Sequence, residues 1–280
     1  MNLREPCLPR GWYPQEAGKI KEFLEPFAES SSPLAAPAAI APHAGWYYSG
    51  VPAAMAVSSL DREAETVAVI GGHLPPGMPV LLAEEDGAKT PFGAMGIDRK
   101  LRDEFKSLVS AEMAPPRPDS CQDNTVEALL PMVHYFFPRA ELLWLRFPAG
   151  LSSFEAGKLL ARSAGRLKRR VAVLGSTDLT HYGDNYGYSP RGRGKLALEW
   201  VKNVNDAAFI GAVLDGDPAR ALKHAQEGSA ACSAGAVLGA LGFAACRGNA
   251  RARLLDYRTS ADAGGQIPGS FVGYAAFAIY

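Results

Sequence analysis

Side chains that can bind a metal ion or transfer a proton occur at several turns that follow apolar segments of this chain. His43 lies in the turn sequence PHAG, and His73 directly follows a pair of glycines. Asp178 and His181 both lie in the segment GSTDLTHYG, residues 175–183, where polar residues crowd behind an apolar run. An imidazole beside a carboxylate can act as a general acid or base whose partner orients it.

Cys232 and Glu127 are two further candidates. Cys232 precedes the small-residue segment SAGA, and a thiol at a helix N-terminus has a lowered pKa and can bind a soft metal or act as a nucleophile. Glu127 lies in a helical pattern after a loop, where it could be a surface acid or could cap the helix start. Two histidines and one further donor suffice for a mononuclear metal site. A carboxylate donor favours non-haem iron, whereas a thiolate favours softer metals such as copper or zinc.

Each candidate also has an ordinary structural interpretation. His43 could bond a carbonyl within its own turn, and His73 could be a solvated residue of a glycine-rich loop. Cys232 could be a buried, inert cysteine. Asp178 could cap a helix by accepting hydrogen bonds from free backbone N–H groups. His181 would add nothing to such a cap, so a functional role is favoured for Asp178 and His181 and stays open for the other three.

Alternating strand and helix patterns predict the elements that position these residues. Short apolar runs predict strands at residues 38–41, 66–70, 79–83, 94–97, 141–147, 171–174, 251–258 and 271–279. Helical spacing predicts helices at residues 19–27, 51–60, 99–107, 125–135, 153–167, 194–210, 218–227 and 233–245. This alternation is typical of an α/β three-layer sandwich, with a mixed, mostly parallel central sheet and helices on both faces. Pro26 is expected to end the first helix early, and the glycine pair before His73 is expected to stop the second strand.

The predicted strands suggest where the candidate residues meet. Ligands of such sheets collect at the carboxyl ends of the strands. His43, His73 and the pair Asp178 and His181 each follow a different predicted strand, so we expect them at one edge of the sheet. No repeat and no long linker divides the chain, which is therefore expected to form one domain over residues 1–280.

Composition excludes several classes of function. Lysine plus arginine and aspartate plus glutamate number 29 each, which provides no electrostatic basis for binding nucleic acid or an anionic membrane. No apolar stretch of about 18 residues could span a bilayer. The 4 cysteines are far apart and form no C-x-x-C pair, which indicates a reduced, cytoplasmic setting.

The segment ACSAG, residues 231–235, loosely resembles the nucleophile elbow of serine hydrolases. That chemistry needs a histidine after the nucleophile in the chain, and the last histidine here, His224, precedes it.

Several blocks resemble the Memo-like family, which is related to the class III extradiol dioxygenases. They follow one another in the family's order from near residue 4 to the C-terminus. The blocks are REP and GWYP (residues 4–6 and 11–14), APHAGW (41–46), YSG (48–50), TPFG (90–93), NTVE (124–127), STDLTHYG (176–183), CSAG (232–235) and VGYAA (272–276).

The resemblance implies a dioxygenase-like fold and a metal-dependent redox activity. It implies that His43, His73 and Cys232 hold iron or copper, and that Asp178, His181 and Glu127 line the same pocket. His181 would then move protons while Asp178 orients it. Members of the family are often described beside a radical S-adenosylmethionine protein, so partners from such a system are expected, together with a small-molecule or peptide ligand.

Two positions depart from the family pattern. The family usually has a histidine pair where this chain has the single His73, and a histidine where this chain has Asn124. Both changes remove an imidazole from the implied pocket. The sequence therefore leaves two functions open. One is a metal-dependent redox enzyme. The other is a non-catalytic protein on the same scaffold that binds a ligand, a peptide or copper, or serves as a subunit of a modifying system.

Overall fold

The computed structural model describes residues 2–29, 34–248, 251–264 and 267–280. Its strands are β1 (Leu3–Arg4), β2 (Ala38–Ala41), β3 (Thr66–Leu74), β4 (Leu81–Leu82), β5 (Gly87–Thr90), β6 (Gly93–Gly96), β7 (Arg117–Pro118), β8 (Glu141–Pro148), β9 (Val171–Ser176), β10 (His181–Gly183), β11 (Ala252–Thr259) and β12 (Ser270–Ile279). Its α-helices are α1 (Ala17–Ala28), α2 (Trp46–Ser59), α3 (Arg99–Glu112), α4 (Asn124–Glu127), α5 (Leu130–Phe136), α6 (Ser152–Arg166), α7 (Lys195–Trp200), α8 (Asp206–Leu214), α9 (Pro218–Glu227) and α10 (Ala234–Ala245). A π-helical turn, Val201–Asn205, joins α7 to α8.

One large sheet carries the candidate site. Its strands follow the order β10-β12-β2-β9-β3-β8-β4-β7, and β11 pairs with β12 outside this path. The central strands β2, β9, β3 and β8 are parallel, whereas β12 and β4 join them in antiparallel pairs. A small second sheet contains β1, β5 and β6. The predicted α/β class with a mixed sheet is confirmed.

Helices cover both faces of the large sheet. Successive side chains of a strand point to opposite faces. In β3, Ala68 and Ile70 pack with residues of α3, α6, α8, α9 and α10, whereas Val67 and Val69 pack with residues of α1, α2, α4 and α5. Strands buried on both faces need apolar residues at every position, which explains their continuous apolar runs.

Within the described ranges, no helix is both long and apolar enough to cross a membrane.

The glycine pair does not stop β3, contrary to the sequence prediction. The strand continues to Leu74, with an irregular register after Gly71, and His73 has a φ of 55°. A Cβ atom at Gly71 would overlap the side chain of Thr125, and one at Gly72 would overlap Ser233. The glycines therefore allow neighbouring elements to approach the strand closely, and the bulge beyond them turns His73.

Other predicted boundaries also differ from the structure. Pro26 lies inside α1, which continues to Ala28, so the prediction that Pro26 ends the helix early was wrong. The proline lacks the N–H that would bond the carbonyl oxygen of Glu22, and its ring crowds that carbonyl, yet the helix continues to Ala28. The helix predicted at residues 125–135 is divided into α4 and α5, and Pro131 lies in the first turn of α5, where its missing donor is tolerated.

Candidate metal centre

Three neighbouring parallel strands bring the candidate residues to one edge of the sheet. β2 ends two residues before His43, β9 ends two residues before Asp178, and His73 lies at the end of β3. In the sheet β9 lies between β2 and β3, and all three strands are parallel. Their carboxyl ends therefore meet, as the strand-end rule for α/β sheets predicts.

His43, His73 and Cys232 form a cluster of possible metal ligands. Each contributes one donor atom, and these atoms lie within 4.8 Å of one another. The Cys232 Sγ atom lies 3.4 Å from Nε2 of His43, and the two imidazole rings meet edge to face with centroids 5.1 Å apart. Donors that bind one ion at roughly 2.0–2.3 Å lie within about 4.5 Å of one another. The cluster is close to that spacing, so these residues fit a metal centre.

Buried contacts hold His43 and Cys232 in place. The backbone N–H of His43 donates to Oδ1 of Asp178 (2.7 Å), and its Nδ1 lies 2.8 Å from the Ser176 hydroxyl. The backbone N–H of Cys232 donates to the carbonyl oxygen of Asp178 (3.1 Å). Asp178 thus joins two of the three candidate ligands, one through its side chain and the other through its backbone.

The charges in the cluster shift the pKa values of the thiol and of the two imidazoles in opposite directions. Burial alone would raise the pKa of Cys232, but His43 and His73 lower it well below its ordinary value. Burial opposes protonation of the histidines, yet Asp178 and Cys232 raise the pKa of His43, and Asp123 and Cys232 raise that of His73 to about 10. A thiolate is the form of cysteine that binds metal, and a metal ion would take the place of a proton only at the ligating nitrogen of each imidazole.

A cavity of about 530 Å³ opens beside the cluster. Asp178, His181 and the two candidate histidine ligands line it, together with aromatic side chains and Asn124. The aromatic side chains are Trp12, Tyr47, Tyr48, Tyr186 and Tyr274. The cavity lining thus combines titratable groups with this aromatic wall, and such a mixture of polar and aromatic groups is typical of small-ligand sites.

His181 is oriented by a carbonyl oxygen. Its Nδ1 lies 3.0 Å from the carbonyl oxygen of Leu179, and its ring packs edge to face against Tyr186, with centroids 4.9 Å apart. Because a carbonyl only accepts, Nδ1 carries the proton of the neutral ring and Nε2 keeps its lone pair. The hydrogen bond that orients the ring thus comes from the Leu179 backbone and not from Asp178, which was expected to orient it.

Glu127 lies away from this cavity and holds the N-terminal segment. Its buried carboxylate accepts hydrogen bonds from the backbone N–H groups of Cys7 and Leu8, both at 2.9 Å, and from the Tyr13 hydroxyl at 3.1 Å. It lines a separate cavity of about 110 Å³. These contacts hold in place the N-terminal segment whose Trp12 lines the main cavity. The structure does not bring Glu127 together with the other candidate residues.

Comparison with known proteins identifies the family. The family model of Memo-like proteins matches residues 4–278 of the chain.

The chain belongs to the Memo-like protein family.

MEMO1 family proteins of Pyrococcus abyssi and Methanosarcina mazei are each 28% identical to this Memo-like protein. The first match covers 98% of both chains, and the second covers 100% of both. The crystal structure of the uncharacterised protein JW3007 from Escherichia coli K12 is similar, with a TM-score of 0.53 and 12% identity. That match covers 85% of this chain and 98% of the other, and at this identity it shows the fold alone.

The two departures from the family pattern both lie in the site of this Memo-like protein. His73, the single histidine after the glycine pair, is the residue that reaches the ligand cluster. Asn124 lines the cavity, and its side-chain amide donates to the carbonyl oxygen of His43 (3.3 Å). The amide therefore supports the backbone of one candidate ligand, although it supplies no imidazole.

The π-helical turn ends at Asn205 and Asp206 directly follows it, and both side chains contact Thr180, the residue before His181. The Asn205 amide donates to the Thr180 hydroxyl (2.8 Å) and to the carbonyl oxygen of Gly228 (2.7 Å). The buried Asp206 carboxylate accepts hydrogen bonds from the Thr180 N–H (3.2 Å), the Thr180 hydroxyl and the Tyr257 hydroxyl (2.8 Å). Such turns are frequent at functional sites, and sequence analysis did not find either residue.

Asp206→Asn is expected to weaken the dependence of stability on pH. Burial raises the pKa of Asp206 to about 6, from an ordinary value of 3.8. The pKa of Asp206 is higher in the folded than in the unfolded protein. The contribution of Asp206 to the free energy of unfolding is therefore fully present below the unfolded-state pKa of 3.8 and is lost as the pH rises through about 6. The variant should lack this loss, which is on the order of 2 kcal/mol for a buried group. Urea unfolding at pH 4.5 and 7.5 measures it.

The exposed Asp103→Asn variant is the control for that experiment. It removes a carboxylate at a solvated position, so it should keep the pH dependence of the wild type. Identical slopes of the free energy of unfolding against pH in the wild type and Asp206→Asn would contradict the assignment of a raised pKa to Asp206.

Proposed function

We propose that this protein is a metal-dependent redox enzyme of the class III extradiol dioxygenase-like type, with iron or copper held by His43, His73 and Cys232. The observation that carries the proposal is the cluster of two imidazoles and a thiol beside an accessible cavity. Three protein ligands leave coordination positions free, and a thiolate favours copper of the two metals. The bound metal would supply Lewis acidity and one-electron chemistry at the cavity.

The other residues of the site bind, orient and move protons in this proposal. His181 faces the cavity with Nε2 as an acceptor, so it can take a proton from a substrate group. Asp178 keeps His43 in place through the backbone. Glu127 contributes from a distance, since it anchors the segment that carries Trp12 to the aromatic wall.

Anaerobic reconstitution tests the proposal. The purified protein is loaded with Fe(II) or Cu(I), its metal content is determined by elemental analysis, and oxygen uptake is recorded against a panel of small molecules. Binding of one equivalent with uptake that depends on the metal and one substrate would support a redox enzyme. Failure to retain either metal would contradict it.

His181→Gln is expected to keep the metal and lose turnover. Glutamine cannot accept a proton at neutral pH, and loss of a general base slows reactions by about 10²- to 10⁴-fold. Metal content and oxygen uptake of the loaded variant are compared with those of His224→Gln, which changes a histidine of α9 outside the site. Unchanged turnover would remove His181 from the mechanism, and loss of metal would place it among the ligands.

A non-catalytic binding protein is the second candidate function. The observation that favours it is Asn124, which adds no titratable group to the cavity wall. On this proposal the site would hold copper, a small molecule or a peptide, and the chain would serve as a subunit of a radical S-adenosylmethionine system. Stoichiometric metal without oxygen uptake, together with a retained partner protein, would favour this function over the first.

A further inference from the structure

A chain of buried charges leads from His73 into the sheet. Nδ1 of His73 lies 3.1 Å from Oδ2 of Asp123, and the same carboxylate oxygen lies 3.2 Å from Nη2 of Arg146. Nη1 of Arg146 in turn lies 3.3 Å from Oδ1 of Asp119, and Oδ2 of Asp119 lies 3.7 Å from Nη1 of Arg4. Apart from His73, these side chains are at most 14% exposed, so solvent screens their interactions only weakly.

His73 differs from the other two candidate ligands in how it is held. His43 is 1% exposed and is fixed through Ser176 and Asp178. The side chain of His73 is 35% exposed and extends from a strand bulge whose φ of 55° is unusual for a residue other than glycine. Beyond its contacts with His43 and Cys232, the ring of His73 has a hydrogen bond to Asp123, which fixes its direction from outside the ligand cluster.

Arg146 holds both sides of this contact. Its Nη2 pairs with the Asp123 carboxylate, while its Nε donates to the carbonyl oxygen of Gly72 (2.9 Å). Gly72 directly precedes His73, so one guanidinium fixes the backbone of the bulge as well as the carboxylate that receives the ring. The planar fork of arginine is suited to such a double role, which lysine cannot fill in the same way.

We propose that Asp123 is a positioning residue for His73 and that Arg146 positions Asp123. The carboxylate accepts the Nδ1–H of His73, which selects the tautomer whose Nε2 has a lone pair for a metal ion. This hydrogen bond also restricts the rotation of the exposed His73 ring before a metal ion binds, so less conformational entropy is lost when it does. This inference rests on the proposed metal site and adds to it the residues that align its most exposed ligand.

Asp123 also caps α4, so a purely structural role must be distinguished from positioning. Its Oδ1 accepts the N–H of Thr125 at 2.9 Å. Asp98 offers a matched control, because it caps α3 through Leu101 N–H (3.0 Å) and pairs with Arg169 (2.8 Å). Asp98 contacts Thr66, the first residue of β3, whereas Asp123 contacts a residue near the end of the same strand.

The test measures Cu(I) affinity by competition with a chromophoric chelator under anaerobic conditions. Asp123→Asn is expected to weaken binding by about 10- to 100-fold, the usual cost of losing an outer partner of a ligand. In a His73→Ala background the same substitution should have almost no further effect, because its influence passes through His73. Asp98→Asn should leave the affinity unchanged in both backgrounds.

Arg146→Lys provides a second variant should Asp123→Asn fold poorly, as judged by thermal unfolding. It keeps the positive charge but loses the fork, so it should also weaken Cu(I) binding in a manner that depends on His73. Equal effects of Asp123→Asn with and without His73, or no effect in the wild-type background, would overturn the positioning role. If the wild-type protein binds Fe(II) but not Cu(I), the same variants are compared with Fe(II). If it binds neither metal, the metal proposal fails first, and the two failures are thereby distinguished.

Discussion

Replacing Cys232 with alanine is expected to remove most of the iron or copper that the protein retains. The substitution deletes the thiol of the cluster. The surroundings lower the pKa of Cys232 and so favour the thiolate, which is the form that binds a metal ion. The loss of affinity should exceed the roughly 10- to 100-fold that follows loss of an outer partner. Elemental analysis of wild type and variant, purified anaerobically in parallel, measures the change.

Cys246→Ala is the matched control for this substitution. Cys246 is exposed at the C-terminal end of α10, whereas Cys232 lies just before the N-terminal end of the same helix. The two variants thus lose the same group at opposite ends of one helix, and only Cys232→Ala should lose metal. A Cys232→Ala protein with wild-type metal content would show that the thiol is not a ligand.

Gly72→Ala is expected to lower both the stability of the fold and its metal content. A Cβ atom at position 72 would overlap the side chain of Ser233 and lie 2.8 Å from its Cα. Ser233 is buried, and its N–H donates to Thr177 (3.1 Å), so it has little room to move. Overpacking of this kind costs about 1–3 kcal/mol, and the displaced segment includes Cys232. Urea unfolding and elemental analysis measure the two effects.

Gly96→Ala is the control for overpacking in a strand. Gly96 ends β6, and a Cβ atom there would meet nothing within 4 Å. This variant should keep both the stability and the metal content of the wild type. If Gly72→Ala were as stable as Gly96→Ala and bound as much metal, the close packing of β3 against the Cys232 segment would not matter for the site.

Much of the site's location could be predicted because it follows from the architecture of the sheet. The runs predicted at residues 38–41 and 171–174 form β2 and β9, and polar residues directly after parallel strands must meet at one edge. The neighbourhood of His43 and Asp178 therefore depends on local patterns and one general rule. The resemblance to the Memo-like family added Cys232, whose own pattern left its role open.

The contacts that align the ligands could not be predicted in the same way. Asp123 lies 50 positions from His73, and the two meet only because a bulge turns the end of β3. Glu127 lies about 120 positions from the segment that it holds, and no local pattern indicates that partner. Long-range contacts between side chains depend on how elements pack, and a periodic pattern in one segment carries no information about them.

The central claim is that one metal ion binds to His43, His73 and Cys232 together. X-ray absorption spectroscopy at the metal edge tests it most directly, on protein loaded anaerobically with one equivalent of Cu(I). The account predicts one sulfur scatterer at ~2.3 Å and imidazole nitrogens at ~2.0 Å, with the sulfur lost in Cys232→Ala. A first shell of nitrogen and oxygen alone in the wild type would contradict it.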